Sequence, residues 1–501
     1  MTHVLLFYNA RLLDEAIDTP GALLVIDDKI RAVYSGYFTN KKTIETIAHS
    51  VLIEDGYSNC AIEYYDALGY TLMPAFIDMH VHVRYHGQTR KEDLESDLRA
   101  AAAGGFGTVV AMPDTVPVVS SLASALEIDK AAYEFGLINV IQSVSITKDF
   151  SGNDTNHLDE LDSVRTPLIT EDEHAVASSA VLLNAMHKAA ERGIIVSCRS
   201  EDGSLAKEAK RYRDEALVLM KEYHLSTWGS VDDETDNVDD DILDRIAMLL
   251  TQANDLLALA ENTATVRNIM LAREARCHIH VMHVSTANAL DAVRTAKEAI
   301  AAEMAEHLAD DADDALDALL DGKQFAPADR NGISLRVTCG VTPYHLALCG
   351  TDEPFIRALV NPPLRSEDDR IVLLEGLRDG TIDVIATDHA PHTLEDKIDG
   401  AYGFTGLETA YAVCNTILVQ HGQLDAKRLS QLMSANPARI LCLNKGVLAP
   451  GYDADIVFVD PDEKIIINTQ QFFSKGKATP FDGMEFTGSI KQLFVGGRKI
   501  Y

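Results

Sequence analysis

The chain runs to 501 residues, 47% of them hydrophobic and 24% charged, which excludes an intrinsically disordered protein and allows a large core. Lys and Arg number 44 against 77 Asp and Glu, a formal net charge of −33. So acidic a chain has no general attraction for nucleic acid or an anionic membrane surface, and an anionic substrate needs locally placed cations.

In chain order, the segment 1–70 reads as short β-like runs with turns: His3–Tyr8, Ala22–Ile26 and Lys29–Ser35. Then short apolar runs alternate with longer helical stretches, the pattern of βα units. The runs are Leu72–Ile77, Thr108–Met112, Ile138–Ile146, Pro167–Thr170, Ile194–Cys198, Ile279–Val284, Leu335–Val341 and Ile382–Ala386. Eight such units predict a closed (β/α)8 barrel of the TIM type, with an open doubly wound sheet as the alternative on count alone. Ala206–Ala253 and Glu298–Asn331 exceed ordinary connections and read as lengthened helices with acidic faces, around Asp232–Asp236, Asp239–Asp241 and Asp310–Asp321. The segment 441–501 returns to β-like runs, Ile456–Val459, Lys464–Ile467 and Gln492–Val495. Seven scattered Cys without a CxxC pair, no secretory leader and no stretch of about 18 apolar residues read as a reduced, cytoplasmic protein that does not enter a membrane.

Barrel enzymes place their chemistry at the C-terminal ends of the strands. After the first run stands Asp78-Met79-His80-Val81-His82-Val83-Arg84. In an extended segment i and i+2 share a face, so His80 and His82 point together, with Arg84 next on that face. Two imidazoles on one face can ligate a metal. Asp172 and His174 follow the fourth run, His283 ends the sixth, and Asp388-His389-Ala390-Pro391-His392 follows the eighth. Each alone is a common pattern; their convergence on one barrel mouth is the informative feature.

The segment Met73–Thr115 resembles the metal-binding opening of the cyclic amidohydrolases, and most of all the bacterial dihydroorotase family. The resemblance continues, in order, through His283-Val284-Ser285-Thr286, Asn361-Pro362-Pro363-Leu364-Arg365, Ile385–Thr393, Gly403–Thr409 and Asn436-Pro437-Ala438, and so spans almost the whole chain. It implies a barrel over 71–440 and a small β domain built from 1–70 and 441–501. It implies reversible ring closure of N-carbamoyl-aspartate to dihydroorotate in pyrimidine synthesis. By resemblance His80, His82, Asp172 and Asp388 are metal ligands, with His283 on a second metal position. Arg84, Asn361 and His392 hold the substrate, and Asp114 stands at a further substrate-binding position. Zn²⁺, one ion or two, would polarise an amide carbonyl and lower the pKa of bound water to about 7. Asp388 would take the water's proton and return it to the leaving nitrogen. The resemblance implies a homo-oligomer that can assemble with aspartate transcarbamoylase.

The departures bear on mechanism. The family carries a metal-binding His where this chain has Arg199, and a guanidinium stays protonated with no lone pair to give. The Asn that usually follows Met-Pro is Asp114, Glu173 replaces a Gly, and Tyr344 replaces the first His of a His-His pair. Three readings follow: a one-metal enzyme with Arg199 in the second site and Asp114 paired to it or to another cation; replacement of the lost ligand by His174, His86 or Cys198; or a non-catalytic subunit supporting the transcarbamoylase. A hydantoin, dihydropyrimidine or allantoin is the alternative substrate. His278, His280 and Lys148 are read as structural or merely polar.

Overall fold

The computed structural model describes residues 2–54, 56–57, 60–172, 174–223, 225, 238–310, 336–351 and 359–501, with only the helical backbone of 304–310. Glu173 and the acidic stretches 232–236 and 311–321 lie outside the described residues.

The strands are β1 (Val4–Leu13), β2 (Asp18–Ile26), β3 (Lys29–Ser35), β4 (Ile62–Asp66), β5 (Thr71–Pro74), β6 (Phe76–Val81), β7 (Phe106–Ala111), β8 (Asn139–Gln142), β9 (Val144–Ser145), β10 (Leu168–Thr170), β11 (Ile195–Cys198), β12 (Ile279–Val281), β13 (Val337–Val341), β14 (Val384–Ile385), β15 (Ile456–Ile466), β16 (Glu485–Val495) and β17 (Arg498–Lys499). Parallel pairing runs β6-β7-β8 and then β9-β10-β11-β12-β13-β14. β8 and β9 are separated only by Ser143, whose amide bonds Ala111 O, so they share one position and the ring has eight. It closes where Val81 bridges His389 and His82 N donates to His389 O at 2.8 Å. This is the expected barrel. All six residues of β6 are buried, as in parallel sheets covered on both faces.

Helices α1 (Lys41–Glu54), α2 (Leu94–Ala103), α3 (Leu122–Phe135), α4 (Ser179–Arg192), α5 (Gly203–Glu222), α6 (Asp240–Ala275) and α7 (Ala287–Asp310) surround these sheets, and several are started by side chains that satisfy their first amides. Asp93 caps α2 in a reciprocal pair with Ser96, and Ser178 caps α4, which Gly193 ends in a left-handed conformation. Asp202 caps α5 and thereby fixes Glu201 at the end of β11. Asp239 caps α6, with Asp240 and Asp241 in its first turn, where the helix dipole favours anions. The long connection after β11 thus contains two lengthened helices.

Two expectations change. The first apolar run, Leu72–Ile77, is split between two sheets. Thr71–Pro74 pairs with β15 and β1, whereas Phe76 starts the barrel. The switch is at Ala75, whose amide bonds Asp455 O, while the next amide bonds Gly105 O. The segment 1–70 is not all β, because Lys41–Glu54 forms α1 and buries Ile44, Ala48 and Leu52 against the terminal sheet.

That sheet runs β17-β16-β15-β5-β1-β2-β3, so strands from both ends of the chain are hydrogen-bonded side by side. Phe7, Phe458 and Phe494 knit them through ring contacts, Phe7 lying 5.5 Å from Phe458 and 4.9 Å from Phe494. Phe458 is fully buried, so Phe458→Ala is expected to destabilise the protein by about 3–5 kcal/mol. The check is the urea midpoint at constant m-value. A shift under about 1 kcal/mol would mean that the cluster does not hold the two termini together.

Candidate active site

Parallel strands put every C-terminal strand end at one mouth. His80 is in β6 and His82 immediately follows it, both buried. Asp172 arrives from β10 and Asp388 from β14. Asp172 Oδ2 lies 3.4 Å from His80 Nε2 and 3.2 Å from His82 Nε2. Asp388 Oδ1 lies 3.3 Å and 3.6 Å from the same two nitrogens. Arg84, His283 and Asp388 all have left-handed backbones, φ 58°, 35° and 52°. Non-glycine residues hold that conformation at a cost of order 1–3 kcal/mol each, and such strain gathers at functional sites.

His80, His82 and Asp172 offer ligand atoms that all lie within 4.8 Å of one another. His80 Nε2 is buried and makes no hydrogen bond, although two carboxylate oxygens are close by. Atoms that converge without bonding one another are what a cation needs. The donor set, two imidazoles and carboxylate oxygen, suits Zn²⁺. Burial opposes ionisation of Asp172 and Asp388, but the neighbouring histidines outweigh it and hold both well below the usual carboxylate range. The ring centroid of His283 lies 5.5 Å from that of His80, and burial pushes its pKa down to about 4, so its imidazole is neutral.

The mouth opens into a cavity of about 670 Å³, lined among others by His82, Asp172, His174, His283, Asp388 and His392. Asn361 lines it too, and its Nδ2 donates to Glu201 Oε2 at 2.8 Å. Its Oδ1 is buried with no hydrogen-bond partner. His392 Nε2 donates to Tyr402 O at 2.7 Å, which leaves Nδ1 as a buried acceptor, also without a partner. The loop carrying Tyr402 is pressed close: Gly403 has φ 113°, and a Cβ there would meet Ala390 Cβ at 2.5 Å.

Asp114 does not pair with Arg199. It accepts from His82 Nδ1 at 2.8 Å and from Arg84 Nη1 at 2.6 Å. Neither Asp114 nor Arg84 is among the residues lining the cavity; both are buried behind His82. Arg199 does line the cavity, and its guanidinium lies 3.7 Å from Glu201. Of the substitute ligands considered, His174 lines the cavity and stacks on Phe150, His86 packs on Tyr85, and Cys198 belongs to the core. His278 and His280 each bring a ring nitrogen to 3.0 Å from Thr338 Oγ1.

Sequence reasoning misses several site residues. Tyr344, which reads only as a replaced His, donates its hydroxyl to Asp388 Oδ2 at 2.5 Å. Burial and the Asp388 charge push its pKa well up, so it remains a donor. Glu201 reads only as part of a motif. Lys207, Lys210 and Arg213, on α5, join Arg199 in the cavity wall. Their spacing of three on one helix face is the available signal.

A model of the amidohydrolase family matches residues 71–500, and the chain belongs to that family. Similar curated proteins include the dihydroorotase of Clostridium botulinum (strain Eklund 17B / Type B), 31% identical over 498 residues, 99% of each chain. The dihydroorotase of Bacillus subtilis (strain 168) is 32% identical over 444 residues, 87% of this chain and 88% of that one. Among solved structures, the L-hydantoinase (dihydropyrimidinase) from Arthrobacter aurescens superposes with a TM-score of 0.74 at 23% identity, covering 100% of this chain and 96% of that one. At that identity the likeness concerns the fold.

If these side chains hold a cation, zinc stabilises the folded state by mass action, about 2.7 kcal/mol at a hundredfold excess over Kd. Zinc is therefore expected to raise the melting temperature of the metal-stripped protein, and Asp172→Ala is expected to abolish that rise. An equal rise in the variant would place the ion elsewhere.

Proposed function

We propose that this amidohydrolase is a dihydroorotase that interconverts N-carbamoyl-L-aspartate and (S)-dihydroorotate with one zinc ion per chain. The observation that carries the reading is the buried group His80, His82, Asp172 and Asp388 opening on a cavity whose wall carries Arg199, Lys207, Lys210 and Arg213. In a chain of net charge −33, such a wall is the local cation that an anionic substrate requires. The relatives' names agree with this substrate.

Asn361 and His392 line the cavity, and their side chains offer hydrogen-bonding groups of the kind that a cyclic ureide, with its two N–H donors, can use. Both residues thus orient the ring, and the cationic wall receives the carboxylate. Arg84, by resemblance a ligand of that carboxylate, bonds Asp114 Oδ2, which supports a role for it at the metal-binding strand end.

His80, His82, Asp172 and Asp388 would hold zinc, which when bound supplies Lewis-acid polarisation of an amide carbonyl and acidifies water. Asp388 is the proton carrier: Oδ1 faces the imidazoles, and Oδ2 is anchored by Tyr344. In hydrolysis it accepts the proton of the attacking water and delivers it to the departing ring nitrogen; ring closure reverses both transfers. Arg199 cannot bind a metal, so a second ion lacks the ligand that the resembling family has there.

The zinc-loaded protein is expected to hydrolyse dihydroorotate at least 100-fold faster than 5-substituted hydantoins or dihydrouracil, measured as kcat/KM. Turnover of hydantoins with none of dihydroorotate would overturn the substrate assignment. Tyr344→Phe removes one hydrogen bond to a charged group, about 1.5 kcal/mol, so kcat is expected to fall about tenfold with KM nearly unchanged. A change confined to KM would mean that Tyr344 binds substrate rather than setting Asp388.

A further inference from the structure

Asp114 stands where the resembling family carries an asparagine, just beyond the end of β7 and 7% exposed. One oxygen, Oδ2, receives both His82 Nδ1–H and Arg84 Nη1–H. Donation from Nδ1 fixes the tautomer of His82 and leaves Nε2 with its lone pair. That Nε2 is the atom facing Asp172 and Asp388. Asp114 thus holds one ring nitrogen of His82 while the other faces the candidate ion centre, the arrangement that orients a metal-binding histidine and raises its basicity.

The charge at 114 acts at the same place: asparagine keeps an acceptor for His82 but removes the anion that faces Arg84, and this leaves the His82 end of the site less favourable to a cation.

We propose that Asp114 is a positioning residue for the metal: through its bond to His82 it tightens the single ion site in a chain whose second site is given over to Arg199. The proposal rests on the one-zinc reading above and gives Asp114 a role distinct from substrate binding. Arg84 Nη1, on the same oxygen at 2.6 Å, braces the carboxylate from its other side.

The test is a zinc titration of the metal-stripped full-length protein against a competing chelator, with wild type, Asp114→Asn and Asp114→Ala. Asparagine keeps an acceptor for His82 but loses the charge; alanine loses both. The expected order of zinc affinity is wild type, then Asn, then Ala, with Asn at least 10-fold weaker than wild type, in the 10–100-fold range of lost outer carboxylates. The melting temperature of each metal-free protein, taken alongside, is expected to fall in both variants because Arg84 loses its buried charged partner, so affinity is read from the titration of folded protein and not from stability. Asn nearly conserves volume and so carries the test if the Ala variant fails to fold. Equal zinc affinity in wild type and Asn would overturn the role of Asp114 and leave the zinc centre standing. A wild-type chain that binds no zinc would overturn both.

Discussion

The site depends on one constraint: the barrel brings the carboxylates of Asp172 and Asp388 into a buried space already occupied by His80 and His82. Two buried carboxylates that close cost several kcal/mol unless positive charge is supplied. Nothing in β6, β10 or β14 relieves this by hydrogen bonding His80 Nε2. The strand ends are instead held by hydrogen bonds from behind. Asp78 accepts from the amides of His80 and Thr387, which ties β6 to β14, and Asp114 takes His82.

The substitutions at Arg199 and Asp114 act together without touching. Arg199 adds a cation on the cavity side, where Glu201 meets it; Asp114 adds an anion behind His82, where Arg84 meets it. Each charge finds its own local partner, so neither is buried uncompensated. The exchange leaves the cavity wall more positive and the metal-binding strand end more negative. On the one-zinc reading proposed above, both changes suit capture of an anion by a single bound cation.

Much of the barrel was legible because parallel strands buried on both faces are continuous apolar runs, and helices separate them. The pairing of His80 and His82 was legible because alternation along a strand is a local property. What failed was long-range. Leu72–Ile77 reads as one run, yet the chain changes sheets at Ala75, because Asp455, from the far end of the chain, presents its carbonyl there. Of the partners open to Asp114, Arg199 or another cation, the fold selects Arg84, because sequence gives the charge of Asp114 but not that β7 sets it behind His82. Tyr344 looks like a loss of imidazole; only the fold shows its hydroxyl on Asp388. α1 is hidden by β-branched residues, whose weak helix propensity is overridden when Ile44 and its neighbours pack on the terminal sheet.

The claim that most of this account turns on is a single ion held between His80, His82, Asp172 and Asp388. The most direct measurement is anomalous diffraction at the zinc edge on crystals of the zinc-loaded protein, with zinc per chain from elemental analysis of the same sample. One anomalous peak, within ligand distance of Asp172 and both imidazoles, and a stoichiometry near one are expected. A second peak between His283 and Arg199, or a single peak away from Asp172, would contradict it.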